Sequence, residues 1–389
     1  MNDFQKLVYR NFSKIENTNL PEHVKKVVDQ ITFCRTNAVP GIVFSCPKHR
    51  LSIFMRESCN NRSCPACQYQ NREEWKSKTK QLVLDTGHYH MVFKLPSFCY
   101  PYILKYYKEF IEILFSSSKK TIEKILNYSN YSHSTQGIIS VLHTHGEENQ
   151  LHPHIHMIMS DVGISENGER LVHYHNELFE LQNYDSIYLT ILKKALIELH
   201  KRNPDIGDLF LRQVVKMKEQ RIFISDKYET AEHIIEYLGS KIKGSSVSLS
   251  SIDSIEDGIV RFKGKTSLTE MNEGEFLRRY LLHILPQGTK SVRYFGLYGS
   301  ASRRKLQTAR ILLCEEKFYS DDYYDSSNYE ERREPDTLIQ PHKTCPLCQS
   351  KMLITETVAA YCVPRIVYLS YGKDPPPSEY EDQFRKLIA

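Results

Sequence analysis

The sequence predicts an α+β protein assembled from separate parts, and three observations carry that reading. Cysteines gather in two short stretches, one near each end of the chain. Between them, runs of period-two hydrophobicity alternate with runs whose apolar residues recur every three or four positions. A polar, acidic stretch with neither period then sets the C-terminal segment apart. The parts read as a helical lead-in with a cysteine-rich module over 1–85, a sheet-and-helix domain over 86–315, an acidic linker over 316–340 and a small cysteine-containing appendage over 341–389.

Composition bounds the answer. With 389 residues, 40% of them hydrophobic and 25% charged, the chain can build two or three cores and lacks the signature of disorder. A net charge of +5 permits a polyanionic partner without demonstrating one. Twenty-five tyrosines against one tryptophan suit stacking on bases and equally suit cores. The opening "MNDFQKLVYRNFSKIENTNL" has no apolar signal-peptide core, and no run of about 18 apolar residues occurs, so a soluble cytoplasmic protein is expected. In that compartment ten cysteines argue for metal rather than disulfides.

Along the chain, residues 1 to about 30 read as helical, and "REEWKSKTKQLVLD" as a helix leading into the strand "HYHMVFKLP". That strand sets Met91, Phe93 and Leu95 on one side and His88, His90 and Val92 on the other. "YPYILKYYKEFIEILFSSSKKTIEKILNYS" has helical spacing. "GIISVLHTHG" is a second strand, and its short link to the next suggests an antiparallel pair. A helical region over about 172–220 precedes the short strand "RIFISD". "TAEHIIEYLGSKIKG" is a helix with Thr230 as N-cap and Gly244 as stop, and "EFLRRYLLHILP" another, closed by Pro286.

In "CPKHRLSIFMRESCNNRSCPAC", Cys46-x2-His49 and Cys64-x2-Cys67 are two ligand pairs with the spacing of a zinc ribbon or knuckle. Each x2 turn places two donors on one side of a tight loop, and two such loops complete a tetrahedron. Cys59 is an extra thiol able to replace one of the four. Zinc would stabilise a segment too short to fold on its own core. Near the C-terminus His342, Cys345, Cys348 and Cys362 offer the donors for a second site.

"NQLHPHIHMIMSD" places His152, His154 and His156 at alternate positions, with Ile155, Met157 and Met159 on the opposite face. A strand that packs through its back and lines up imidazoles on its front points to a divalent metal. Glu147, just upstream, is the preferred third ligand. On "AEHIIEYLGSKIK", Ile234, Ile235, Leu238 and Ile242 form a core stripe. His233, Tyr237 and Lys241 run along its flank, so Tyr237 would be held firmly yet remain reachable. A tyrosine half-buried beside a core stripe is also a common structural feature.

These motifs together resemble the rolling-circle insertion-sequence transposases of the insertion-sequence-ninety-one family, within the HUH endonucleases. "HPHIH" contains the His-hydrophobic-His core. "CRT" at 34–36, "SCNNRSCPACQ" at 58–68, "YHMVFKLP", "HTHGEENQLHPHIH", "EYLGSK" and "EFLRRYLLHILPQGTKSVRYFGLYG" follow in the family's order. The resemblance implies a zinc-binding module followed by an HUH-type antiparallel sheet with helices. It implies His154 and His156 as ligands of Mg²⁺ or Mn²⁺, and Tyr237 as the nucleophile that forms a 5′-phosphotyrosine. Lys241 stands where typical members carry a second tyrosine, so the chain resembles a single-tyrosine branch, and Lys241 is a candidate to steady the phenolate or the phosphate. The implied partner is single-stranded or hairpin DNA at an element's ends, held in part by basic segments such as "ASRRKLQTAR"; a homo-oligomer is left open. A plasmid or phage replication initiator with the same chemistry, and a non-catalytic zinc-stabilised DNA-binding protein, are the alternatives.

Overall fold

The computed structural model describes residues 1–11, 20–128, 131–146, 148–175, 178, 184–241, 245–264, 268–319 and 344–360. These divide into two compact units, one of residues 1–67 with 344–360, the other of residues 68–319.

In the first unit, helices α1 (Asp3–Arg10) and α2 (Glu22–Phe33) pack through Phe4, Leu7, Val8, Val24, Val28 and Ile31. Asn2 caps α1 by accepting from the Gln5 amide, while the Gln5 side chain accepts in return from the Asn2 amide. The buried Gln5 amide group donates to the carbonyls of Ile31 and Cys34, which ties α1 to the end of α2. Strands β1 (Gly41–Ser45) and β2 (Ser52–Arg56) form an antiparallel hairpin.

The second unit opens with α3 (Gln68–Leu82) and β3 (His88–Lys94), followed by the short α4 (Tyr100–Ile103) and the long α5 (Tyr107–Tyr128). Strands β4 (Ser134–His145) and β5 (Leu151–Ser165) come next, then β6 (Leu171–His173). Helices α6 (Tyr184–Arg202) and α7 (Asp208–Lys216) precede β7 (Phe223–Ile224) and α8 (Ala231–Lys241). Strands β8 (Ile252–Glu256), β9 (Ile259–Lys263) and β10 (Leu268–Asn272) make a small sheet covered by α9 (Glu273–Leu282), with Phe262 against Phe276. β11 (Val292–Gly296) and α10 (Arg303–Tyr319) complete the unit.

Its main sheet runs β11-β4-β5-β3-β7, all antiparallel, with β6 added on β5. One face packs on α5, α6 and α7 through Met91, Phe93, Ile155, Met157 and Met159. The other packs on α8 and α10 through Ile139, Val141 and Ile158. Helices on both faces explain why the inner strands are buried on two sides. The predicted alternation of β3 and β5 is present. The expected helical region over 172–220 instead begins with β6, and the β8–β10 sheet was not anticipated.

β12 (Leu353–Val358), from the segment read as a separate C-terminal appendage, pairs antiparallel with β1 of the first unit, Gly41 opposite Val358. The helix α3, placed by the sequence reading in the 1–85 part, packs instead in the second unit: Lys76 reaches Glu236 and Lys80 reaches Glu232 on α8. The 320–340 stretch of the acidic linker lies outside the described residues.

Candidate active site and metal centres

Three donor clusters emerge among the described residues. In the first unit, Cys34, Cys59, Cys64 and Cys67 bring four sulfurs within 4.8 Å of one another. The Sγ of Cys67 lies 3.5 Å from that of Cys34 and 3.8 Å from that of Cys59. A tetrahedron with Zn–S bonds of about 2.3 Å has edges of about 3.8 Å, so the spacing fits zinc. Cys34 follows the last residue of α2, and Arg35 beside it and Asn60 beside Cys59 both adopt left-handed backbone (φ 59° and 46°) to fold the loops inward.

The second cluster is Cys46, His49, Cys345 and Cys348. Cys46 Sγ lies 3.5 Å from His49 Nδ1 and 3.7 Å from Cys348 Sγ. Phe44, Leu51 and Met352 pack around it. These two clusters correct the expected ligand sets. Cys46 and His49 do not join Cys64 and Cys67; they meet Cys345 and Cys348, which the β1–β12 pairing brings beside them. Cys59 is a member of the four-thiol set, completed by Cys34, which no x2 spacing marks. His342 and Cys362 lie outside the described residues.

The third cluster lies on the sheet of the second unit: His143 on β4 with His154 and His156 on β5. His143 stands directly opposite His154 in register. The Nε2 of His154 is 3.2 Å from His143 Nδ1 and 3.2 Å from His156 Nε2. The tautomers follow from the remaining nitrogens. His154 Nδ1 lies 2.7 Å from the His152 carbonyl and must donate to it, which leaves the Nε2 lone pair turned toward the cluster. His156 Nδ1 lies 3.0 Å from His90 Nε2, so a donated proton there frees the His156 Nε2 lone pair in the same way. With His143 Nδ1 beside these two ring nitrogens, the cluster offers three imidazole donors to a cation.

His143 joins the pair as a third donor, while Glu147, the third ligand expected from the sequence, lies outside the described residues. The first histidine of "HPHIH", His152, goes elsewhere. A bulge between His143 and His145 breaks the ladder opposite Pro153, and His152 hydrogen-bonds Tyr100 Oη at 2.9 Å. Burial and the nearby Lys94 hold its pKa below the ordinary histidine range.

Tyr237 reaches the same place from α8. Ile234, Ile235 and Leu238 are buried against the sheet, and the Thr230 hydroxyl accepts from the His233 amide at the helix start. At Gly239 a side chain would strike the aliphatic stem of Lys76, so glycine lets α8 approach α3 closely. The Tyr237 ring centroid lies 4.9 Å from that of His90, 6.1 Å from His156 and 5.8 Å from Tyr228. Burial, then the Tyr228 hydroxyl, push its phenol above the usual pKa. Lys241 ends the same helix, one turn on; its side chain lies outside the described residues.

The motifs left without a role in the sequence prove to be supports. His283, just after α9, is buried; its Nε2 donates to the Asn149 carbonyl and its Nδ1 accepts from Thr144. Arg279 donates to the Glu148 carbonyl. "EFLRRYLLHILP" therefore clasps the turn between the two histidine strands. Tyr298 of "VRYFGLYG" packs on Gly137, where any Cβ would meet its ring, and its hydroxyl bridges the Leu84 amide and His88 Nε2. Of the basic "ASRRKLQTAR" segment, Arg310 donates to the Gln81 and Leu82 carbonyls at the end of α3, a helix-capping role. His143 and His90 were missed because their signal lies in strand register, which a linear spacing rule does not contain.

Comparison with known proteins agrees with this layout. A family model described as "Putative transposase" matches residues 137–305, and one described as "Transposase zinc-binding domain" matches residues 5–95. The chain is similar to the "Putative transposase y4qJ" of Sinorhizobium fredii, 27% identical over 89% of this chain and 92% of that protein. It is also similar to the transposase for insertion sequence element IS801 of Pseudomonas savastanoi pv. phaseolicola, 22% identical over 72% of each chain. No solved structure gives a significant match. Among the described residues, no helix is long and apolar enough to cross a membrane. The matched zinc-binding domain spans all four thiols of the first cluster, in keeping with a structural zinc there. Both matched domains and both relatives support a transposase of the insertion-sequence-ninety-one (IS91) type.

Proposed function

We propose that this transposase nicks and rejoins single-stranded DNA in rolling-circle fashion through a covalent 5′-phosphotyrosine on Tyr237. The observation that carries the reading is the convergence of His143, His154 and His156 beside the Tyr237 ring, whose centroid is 6.1 Å from that of His156. Three neutral imidazoles suit a transition-metal dication such as Mn²⁺ better than Mg²⁺. Such an ion, when bound, would neutralise charge on the oxygens of the scissile phosphate.

The chain's own groups supply the rest. Tyr237 Oη attacks phosphorus, the bond to the 3′ oxygen breaks, and the phenol proton passes to solvent while the departing oxygen becomes a free 3′-hydroxyl. One phosphoester replaces another, so joining needs no ATP: a 3′-hydroxyl attacks the phosphotyrosine and restores the phenol. Only about 0.1% of an ordinary tyrosine is phenolate at neutral pH, and burial lowers that share further. A cationic environment must offset this, and Lys241, one turn along α8, is assigned to it. The histidine positions act as fixed points because strands carry them, with His90 orienting His156 from behind.

The substrate is taken as single-stranded or hairpin DNA at an element's ends, since the phosphate must be exposed for in-line attack. The zinc-bearing unit is the natural reader of those ends. Incubating the protein with Mn²⁺ and an oligonucleotide carrying an element end tests the reading. A denaturation-resistant protein–DNA adduct is expected and should vanish in Tyr237→Phe. An adduct that survives in that variant would move the nucleophile elsewhere, and no adduct with any single strand would leave a DNA-binding protein without this chemistry.

A further inference from the structure

On the histidine face of the main sheet, strand register lays out a row: Phe223 on β7, Val92 on β3, His156 on β5 and Val141 on β4. Val141 belongs to the core and His156 to the donor cluster. Phe223 belongs to neither. It sits on the outermost strand and is 59% exposed. Its exposure is not looseness. Gln220 donates to the Lys94 carbonyl, the Ile222 amide donates to Asp185, and the Ser225 amide donates to the His90 carbonyl, so the segment is tied down on both sides of the ring. A large ring held open on a sheet edge can take a flat partner against its face.

Two neighbours indicate what that is. The Phe223 ring lies edge-on to His90 at 6.1 Å, and His90 in turn touches Tyr237. Lys94 stands opposite His154 in the β3–β5 register, on the same face. It is exposed, and among the described residues it forms no ion pair. A flat apolar ring with an exposed cation two residues along the neighbouring strand from its register partner matches an unpaired base and its phosphate. A duplex hides its base faces, and a two-residue strand offers too little backbone to recruit a protein strand.

We propose that Phe223 and Lys94 form a nucleotide subsite for single-stranded DNA, with Phe223 stacking on the base next to the scissile phosphate and Lys94 holding a backbone phosphate of the same strand. The proposal rests on the single-strand reading of the Tyr237 site. Binding measured in a Tyr237→Phe background separates the two, because it needs no cleavage.

The probe is a short labelled oligothymidylate, titrated at several salt concentrations, with a blunt duplex as control. Phe223→Ala should weaken single-strand binding about tenfold and leave duplex binding unchanged. Phe223→Trp should restore it, with indole emission quenched on binding. Lys94→Gln should make the slope of log affinity against log salt shallower by about 0.7, one phosphate's worth for a single strand. Equal single-strand affinity in wild type and Phe223→Ala would overturn the subsite, even where the Tyr237 adduct forms normally. Loss of the adduct with the Phe223 effect intact would overturn the nuclease reading instead. A change of oligomeric state in Phe223→Ala without a change in strand affinity would assign the ring to a second copy of the chain and overturn the proposal.

Discussion

The four-thiol cluster and the three-histidine cluster could each hold a cation, yet the chain supports them in opposite ways. Cys34, Cys59, Cys64 and Cys67 come from a helix end and an irregular loop, and they form a closed set of four. His143, His154 and His156 come from two paired strands whose back faces are fully buried, and they form an open set of three beside a tyrosine. A closed set on loops lets the metal hold the protein, whereas an open set on a sheet lets the protein hold the metal and leaves room for a reactant. The strands and helices that carry the second site have a core of their own, so their fold should survive removal of an ion.

Metal removal should break that contrast most visibly. Structural zinc contributes on the order of 10 kcal/mol of folding free energy, so a strong chelator or Cys64→Ser should unfold the first unit. Calorimetry should lose one transition and keep the one belonging to residues 68–319. Loss of both together would mean that the second unit depends on its ion as well.

Acid should sharpen the contrast from the other side. Burial depresses the pKa of His88 and of His283 to about 4. Their native forms stay neutral while the unfolded chain takes up protons near pH 6.5. The stability they contribute is fully present above about pH 6.5 and is lost progressively as pH falls toward about 4, up to roughly 3 kcal/mol for each histidine. Thermal melts of the second unit between pH 7 and 4 check this, and His283→Asn should flatten the dependence. An unchanged dependence would place the titrating group elsewhere.

Next in size is His154→Ala. It should lower Mn²⁺-dependent adduct formation about a hundredfold, some 3 kcal/mol of barrier. The melting transition of the second unit should nevertheless persist, unlike the effect of Cys64→Ser on the first. Single-turnover assays and calorimetry on one preparation separate the two effects. The smallest effect is expected behind the site. His90→Ala should weaken Mn²⁺ binding by about 10-fold to 100-fold by releasing the His156 ring, and His90→Gln, which can still accept from Nδ1, should recover part of it. Equal affinity in both variants would reduce His90 to packing.

Legibility in the sequence followed the range of the contacts involved. His154, His156 and Tyr237 were readable because period two and period 3.6 place them on faces within one element. His143 needed the β4–β5 register: counting back across the turn at Gly146 places it opposite His154, but a bulge in the ladder makes that count inexact. His152 shows the reverse failure, since periodicity put it with its neighbours and the same bulge gave it to Tyr100. Both thiol-bearing clusters depend on distant partners. Cys34 carries no paired cysteine to mark it, and Cys345 and Cys348 meet Cys46 and His49 only through the pairing of β12 with β1. The β8–β10 sheet went unread because its strands are only five residues long and bury little.

The residue that joins the DNA decides the mechanism, and mass spectrometry of the digested, Mn²⁺-dependent adduct identifies it directly. A nucleotide remnant on the peptide containing Tyr237, absent from the His154→Ala protein, is the result predicted. A remnant on any other side chain, or one formed equally well without the histidine, would contradict it.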